Sequence, residues 1–156
     1  MRLKKYEDAI IILDQALEVK PDFSDAFMNK GIALIELGKL NLAFECFQNA
    51  IELEPQSPAI YCNLGVAQTS LGNLNEAIES FNKAIEFKSD FADAFSGRAI
   101  AQINQGEFDK AVESYKIAIE INPNNNYNGY IYIGHGIDTQ FNIPSDPNLF
   151  VYKTTR

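Results

Sequence analysis

From Asp25 to Ile121 the apolar positions fall into stretches of helical period, paired two by two. Asp25–Leu37 carries Phe27, Ile32, Leu34 and Ile35, and Leu40–Leu53 carries Leu40, Ala43, Phe44, Phe47, Ala50 and Ile51 on one stripe. The same pair returns as Ala59–Leu71 with Leu74–Phe87, and again as Asp93–Gln105 with Phe108–Ile121. Apolar spacing of three and four residues specifies amphipathic helices, whereas strands would alternate with period two. Lys5–Val19, with Tyr6, Ala9, Ile10, Leu13, Ala16 and Leu17, repeats the second stretch of the pair without a first. The pattern predicts seven helices.

The interval between equivalent positions is 34 residues. Pro21, Pro55 and Pro123 share that frame, with Ser89 in the remaining slot, and Ala9, Ala43, Ala77 and Ala111 recur at the same step. A fixed period of this size marks a solenoid of stacked helical hairpins. We place the repeats at 24–57, 58–91 and 92–125, with a half repeat at 1–23. Gly38, Gly72 and Gly106 separate the paired helices, where a C-terminus needs a left-handed residue. The prolines stand just past each second helix and stop it. Ser57-Pro58 has the order of an N-cap followed by proline at the first helical position. Gly31, Gly65 and Ala99 are expected to face Ala43, Ala77 and Ala111, small against small, so that helix axes approach to about 8–10 Å.

This constellation resembles the tetratricopeptide repeat, in which an aromatic residue, Leu-Gly, Ala, an aromatic residue, Ala and Pro follow in order. The middle repeat matches best, with Tyr61, Leu64-Gly65, Ala77, Phe81 and Ala84, and Ser89 for the proline. The first repeat has Lys30 in place of the leucine, and the third has Arg98-Ala99 in place of Leu-Gly. The resemblance covers about residues 3–125. It implies an all-α fold, a short right-handed superhelix of about 3.5 hairpins, and a non-catalytic protein-interaction module.

Both ends depart from the pattern. The partner of the first helix would lie upstream of Met1, and Ile10-Ile11-Ile12-Leu13 is apolar where later repeats are polar at two positions. Two readings follow: a fragment of a longer protein, or an edge at which copies associate, since exposed apolar patches mark interfaces. Residues 126–156 are rich in Asn, Gly, Tyr and Ile and carry Pro144 and Pro147. Tyr130, Ile133, Gly134 and Ile137 fit a degenerate repeat start, and alternatively Tyr130-Ile131-Tyr132-Ile133 reads as a short extended segment.

The formal charge of −8 argues against a nucleic-acid partner, because phosphate binding needs clustered Lys and Arg. No run of 18 apolar residues suggests a membrane span. Cys46 and Cys62 are expected to be reduced packing residues, and a cytoplasmic location is the default. His135 is the only histidine, with Asp138 nearby, but it sits in a Gly-rich tail without the pocket that acid–base catalysis requires. Gly134-His135-Gly136 is too short for a phosphate loop, and no metal-ligand spacing appears. No active site, cofactor or metal is expected.

The resemblance also locates a working surface, because the first helix of each hairpin lines the concave face of such a stack. The inward positions would be Asp25, Met28, Asn29, Ile32, Ile35 and Glu36, then Ala59, Cys62, Asn63, Val66, Thr69 and Ser70, then Asp93, Ser96, Gly97, Ile100, Ile103 and Asn104. Asn29 and Asn63 share one repeat position, and a carboxamide can pair with both groups of a peptide unit. Ile32, Val66 and Ile100 form an aliphatic strip beside them. Met28, Glu36 and Asn104 complete the expected groove, with Asp25, Glu36 and Asp93 favouring a positive charge at the rim. The expected partner is a protein or extended peptide. Chaperone-binding members of the family clamp a C-terminal carboxylate, but Met28, Ile32, Asp93 and Gly97 stand where that clamp needs Lys, Asn and two basic residues; only Asn63 fits. The rival expectations are an interaction segment of a larger, possibly enzymatic protein and a self-assembling scaffold joined through the N-terminal helix.

Overall fold

The computed structural model describes residues 2–124. The tail beyond them, with His135 and Asp138 and both readings of its Tyr/Ile segment, lies outside the described residues. Within them the chain forms α1 (Arg2–Val19), α2 (Ser24–Glu36), α3 (Leu40–Leu53), α4 (Pro58–Leu71), α5 (Leu74–Phe87), α6 (Ala92–Gln105) and α7 (Phe108–Ile121), with no strand among them. Helices α2 and α3, α4 and α5, and α6 and α7 pack as hairpins, and each hairpin rests on the next through α3 with α4 and α5 with α6.

The turns inside the hairpins are alike, and one glycine explains them. Gly72 has φ +83°, a left-handed conformation that a Cβ would strain. Its N–H donates to the carbonyl of Thr69 at 3.1 Å, and that of Asn73 donates to Gln68 at 2.9 Å. This is the Schellman closure, which satisfies carbonyls the helix leaves open. Gly38 and Gly106 repeat it. Pro58 is at the first turn of α4 as expected, and Ser57 holds the N-cap position in extended backbone, though its hydroxyl makes no cap hydrogen bond.

The core runs between the layers rather than at a centre. One apolar cluster extends from Leu34 to Ala101 around the fully buried rings of Phe47 and Phe81. A smaller one joins Ala99, Ala111 and Tyr115 at the C-terminal end of the described stack. Ala99 packs with Ala111 in that cluster, and the glycines of the first helices lie against rings. A Cβ at Gly31 would stand 2.7 Å from the ring of Phe47, and one at Gly65 would stand 2.8 Å from the ring of Phe81. Phe81 is pressed from both sides, since a Cβ at Gly97 of the following hairpin would also fall inside van der Waals contact with it.

Candidate functional site

The curvature of the stack follows from which helices touch. α2 contacts α4, and α4 contacts α6, whereas α3, α5 and α7 do not contact one another. The first helices are therefore drawn together on an inner face, and the second helices splay on an outer one.

On the inner face Asn29, Glu36, Val66, Ile100 and Asn104 are exposed, while Met28, Ile32 and Asn63 are half-buried. Met28 and Ile32 lean against the core cluster, so part of their apolar surface stabilises the fold. Two expected inward positions are corrected. Cys62 and Gly97 are buried, Gly97 because it receives the ring of Phe81. The polar groups of this face are partly engaged already. Asn63 Nδ2 donates to the carbonyl of Ala59 at 2.9 Å, and the hydroxyls of Thr69 and Ser70 donate to Gly65 and Val66 at 2.8 and 3.0 Å. Such bonds to the carbonyl four residues back leave the side-chain oxygens as acceptors. Asn29 makes no hydrogen bond to a described residue and keeps its donors and its acceptor.

Both thiols are free and buried. Burial raises the pKa of Cys46, with the nearby Lys30 opposing the rise, and pushes Cys62 up to about 12. A thiol so shifted is a poor nucleophile at neutral pH. No group of three or more His, Cys, Asp and Glu side chains poised for a metal occurs among the described residues. No described helix is long and apolar enough to cross a membrane.

No sequence motif marks the principal feature of the outer face. Lys30, Leu64 and Arg98 occupy one repeat position, and the three intervals between second helices differ accordingly. Lys30 Nζ pairs with Asp14 of α1. Arg98 Nε donates to Ser114 Oγ at 3.0 Å and its Nη1 donates to Asn82 Oδ1 at 2.8 Å, and burial lowers its pKa. Between α3 and α5, where the residue is Leu64, a cleft of about 500 Å³ opens. Gln48 and Glu52 of α3 and Glu76, Glu79, Ser80 and Lys83 of α5 line it, over a floor that includes Leu64 and Gln68. The signal was the series Lys30, Leu64, Arg98 itself, which reads as scatter around a family leucine until the intervals are seen.

Comparison with known proteins agrees with this architecture. A family profile described as a tetratricopeptide repeat matches residues 58–91 and 92–125, a second of that description matches 1–23, and a TPR repeat profile matches 31–72. No curated protein sequence matches the chain. Among solved structures, a crystal structure of MamA is 27% identical with TM-score 0.69, over 76% of this chain and 69% of that one. The MamA fragment from residue 41 to the end from Desulfovibrio magneticus RS-1 is 20% identical with TM-score 0.70, over 80% and 71%. The first TPR of Spaghetti (RPAP3) bound to the HSP90 peptide SRMEEVD is 23% identical with TM-score 0.64, over 67% and 82%. With these profiles spanning the described hairpins and the half repeat, the chain belongs to the tetratricopeptide repeat family, an all-α solenoid of the kind that serves protein interaction.

Proposed function

We propose that the inner face binds an extended peptide segment of a protein partner without catalysing a reaction. The observation that carries this reading is the exposure of Val66 and Ile100 on successive first helices, beside the half-buried Ile32, with Asn29 and Asn63 at matching register. Apolar side chains of the ligand would cover the strip, and its backbone N–H groups would donate to the asparagine oxygens. The peptide held by the RPAP3 domain supports this use of the fold. The chemistry of the ligand differs, however. Asp93 would repel an acidic tail, and Gly97 is buried, so an apolar segment with a basic flank fits better. The test is a peptide-library selection followed by Asn29→Ala with Asn63→Ala. At about 0.5–1.5 kcal/mol per hydrogen bond, selected peptides should bind the double variant on the order of tenfold more weakly. Unchanged affinity for every selected peptide would refute the assignment.

A second reading rests on α1, where Ile11 and Ile12 are 57% and 65% exposed. It makes this face a contact between copies. Light scattering should then show mass rising with concentration, and Ile11→Lys with Ile12→Glu should abolish the rise. A wild-type monomer at all concentrations would exclude it.

A further inference from the structure

We propose that the outer cleft between α3 and α5 receives an arginine side chain from a partner protein. The chain carries its own template one repeat later. There Ser114 Oγ donates to Gln102 Oε1 at 2.9 Å and accepts from Arg98 Nε, while Asn82 Oδ1 accepts from Arg98 Nη1. The same pair exists in the open cleft: Ser80 Oγ donates to Gln68 Oε1 at 2.6 Å. With its proton so directed, Ser80 turns lone pairs outward, and no described residue donates to it. Ser80 is 6% exposed and Gln68 7%, yet both line the cleft, so two buried polar side chains face an opening in which no described cation donates to them. Gln48 stands at the repeat position of Asn82 and offers the second acceptor.

The charge points the same way. Glu52, Glu76 and Glu79 line the cleft against one cation, Lys83, which lies 5.3 Å from the centroid of the Tyr61 ring. Leu64 replaces the arginine of the neighbouring interval with an apolar floor for the stem of an incoming side chain. A guanidinium suits this set better than an ammonium, because its fixed fork presents separate N–H groups to the two neutral acceptors and the carboxylates together. This site is independent of the inner-face reading: it opens between α3 and α5 and uses Leu64 and Gln68 of α4, whereas that reading uses Asn63 and Val66 of the same helix.

The experiment titrates the isotopically labelled full chain with acetyl-Leu-Arg-Leu-amide, following backbone resonances and the side-chain amides of Gln48 and Gln68 by NMR. Saturable shifts in α3 and α5 with a Kd below about 1 mM are expected. The citrulline peptide, which keeps the shape and loses the charge, should bind at least roughly tenfold more weakly. Leu64→Arg, which installs the cation of the neighbouring interval, should abolish the shifts while the spectrum stays dispersed. Glu79→Gln, an exposed change that leaves the packing alone, should weaken binding several-fold even if Leu64→Arg fails to fold. A Kd above about 1 mM for the arginine peptide, equal binding of citrulline, or shifts confined to inner-face residues such as Asn29, Asn63, Val66 and Ile100 would overturn the proposal. The last outcome would favour the inner-face reading, and loss of inner-face binding in the asparagine double variant would leave this site untouched.

Discussion

Phe81 and Tyr115 stand at one point of the 34-residue register, yet their surroundings demand different things of them. Phe81, in the middle of the stack, is pressed between Gly65 of its own hairpin and Gly97 of the next. Tyr115, in the last described hairpin, packs with Ala99 and Ala111, and its buried hydroxyl finds no hydrogen-bond partner among the described residues. A repeat therefore prescribes the kind of residue at a position, while its neighbours on either side decide how tightly that residue is held. In a solenoid this follows from stability being shared between adjacent layers.

The strongest way to break the comparison is to remove the central ring. Phe81→Ala should cost about 3–5 kcal/mol, a large part of the stability of an ordinary domain. The same truncation of Tyr115 should cost less, because that ring bears on a smaller cluster; urea denaturation of both variants measures the gap. Equal losses would mean that the middle of the stack is no better braced than its end.

A smaller effect is expected at Gly97. Gly97→Ala improves helix propensity by about 1 kcal/mol but drives a methyl into the Phe81 ring, and overpacking costs about 1–3 kcal/mol. A net loss of roughly 1 kcal/mol should result. A gain would show that the ring moves aside freely, and the clasp would lose its meaning.

The smallest effect sharpens the comparison from the other side. Tyr115→Phe removes a buried hydroxyl that lacks a described partner and should stabilise the protein by about 1 kcal/mol at neutral pH. Burial also pushes the Tyr115 phenol from 10.0 up to about 12. The folded state thus favours the neutral phenol, so stability falls as pH rises from 10.0 toward 12, and the phenylalanine variant should lack that part of the fall. The slope that remains belongs in part to Cys62, whose thiol is pushed from 9.0 to about 12 and acts in the same direction. Denaturation curves of the two proteins at neutral and alkaline pH carry both outcomes; identical slopes would place water at the hydroxyl.

Much of the architecture was legible in local patterns. Gly72 and Gly106 marked left-handed turns, and α3, α5 and α7 begin and end at the residues their apolar stripes delimit, because such signals act within a few residues of themselves. The candidate site was legible only in part. Val66 and Ile100 are exposed, but Cys62 and Gly97, assigned to the same side by register alone, are buried. Register assigns a residue to a side of its helix; it does not say whether the neighbouring helix closes over that side. The outer cleft was harder still, since Leu64 is the residue the family pattern expects, and its meaning rests on Arg98 and Lys30 filling the intervals beside it.

By itself the chain of residues determined the helices, their turns, their pairing and the constant interval at which rings and small residues return. Those are consequences of backbone conformation and of apolar periodicity along single helices. Only the tertiary structure decided that Gly65 and Gly97 share one ring, that first helices touch while second helices part, and that one of the gaps so formed stays open. Each of those depends on what residues far apart in the chain present to one another, and contact across layers is a property of shape and volume rather than of sequence spacing.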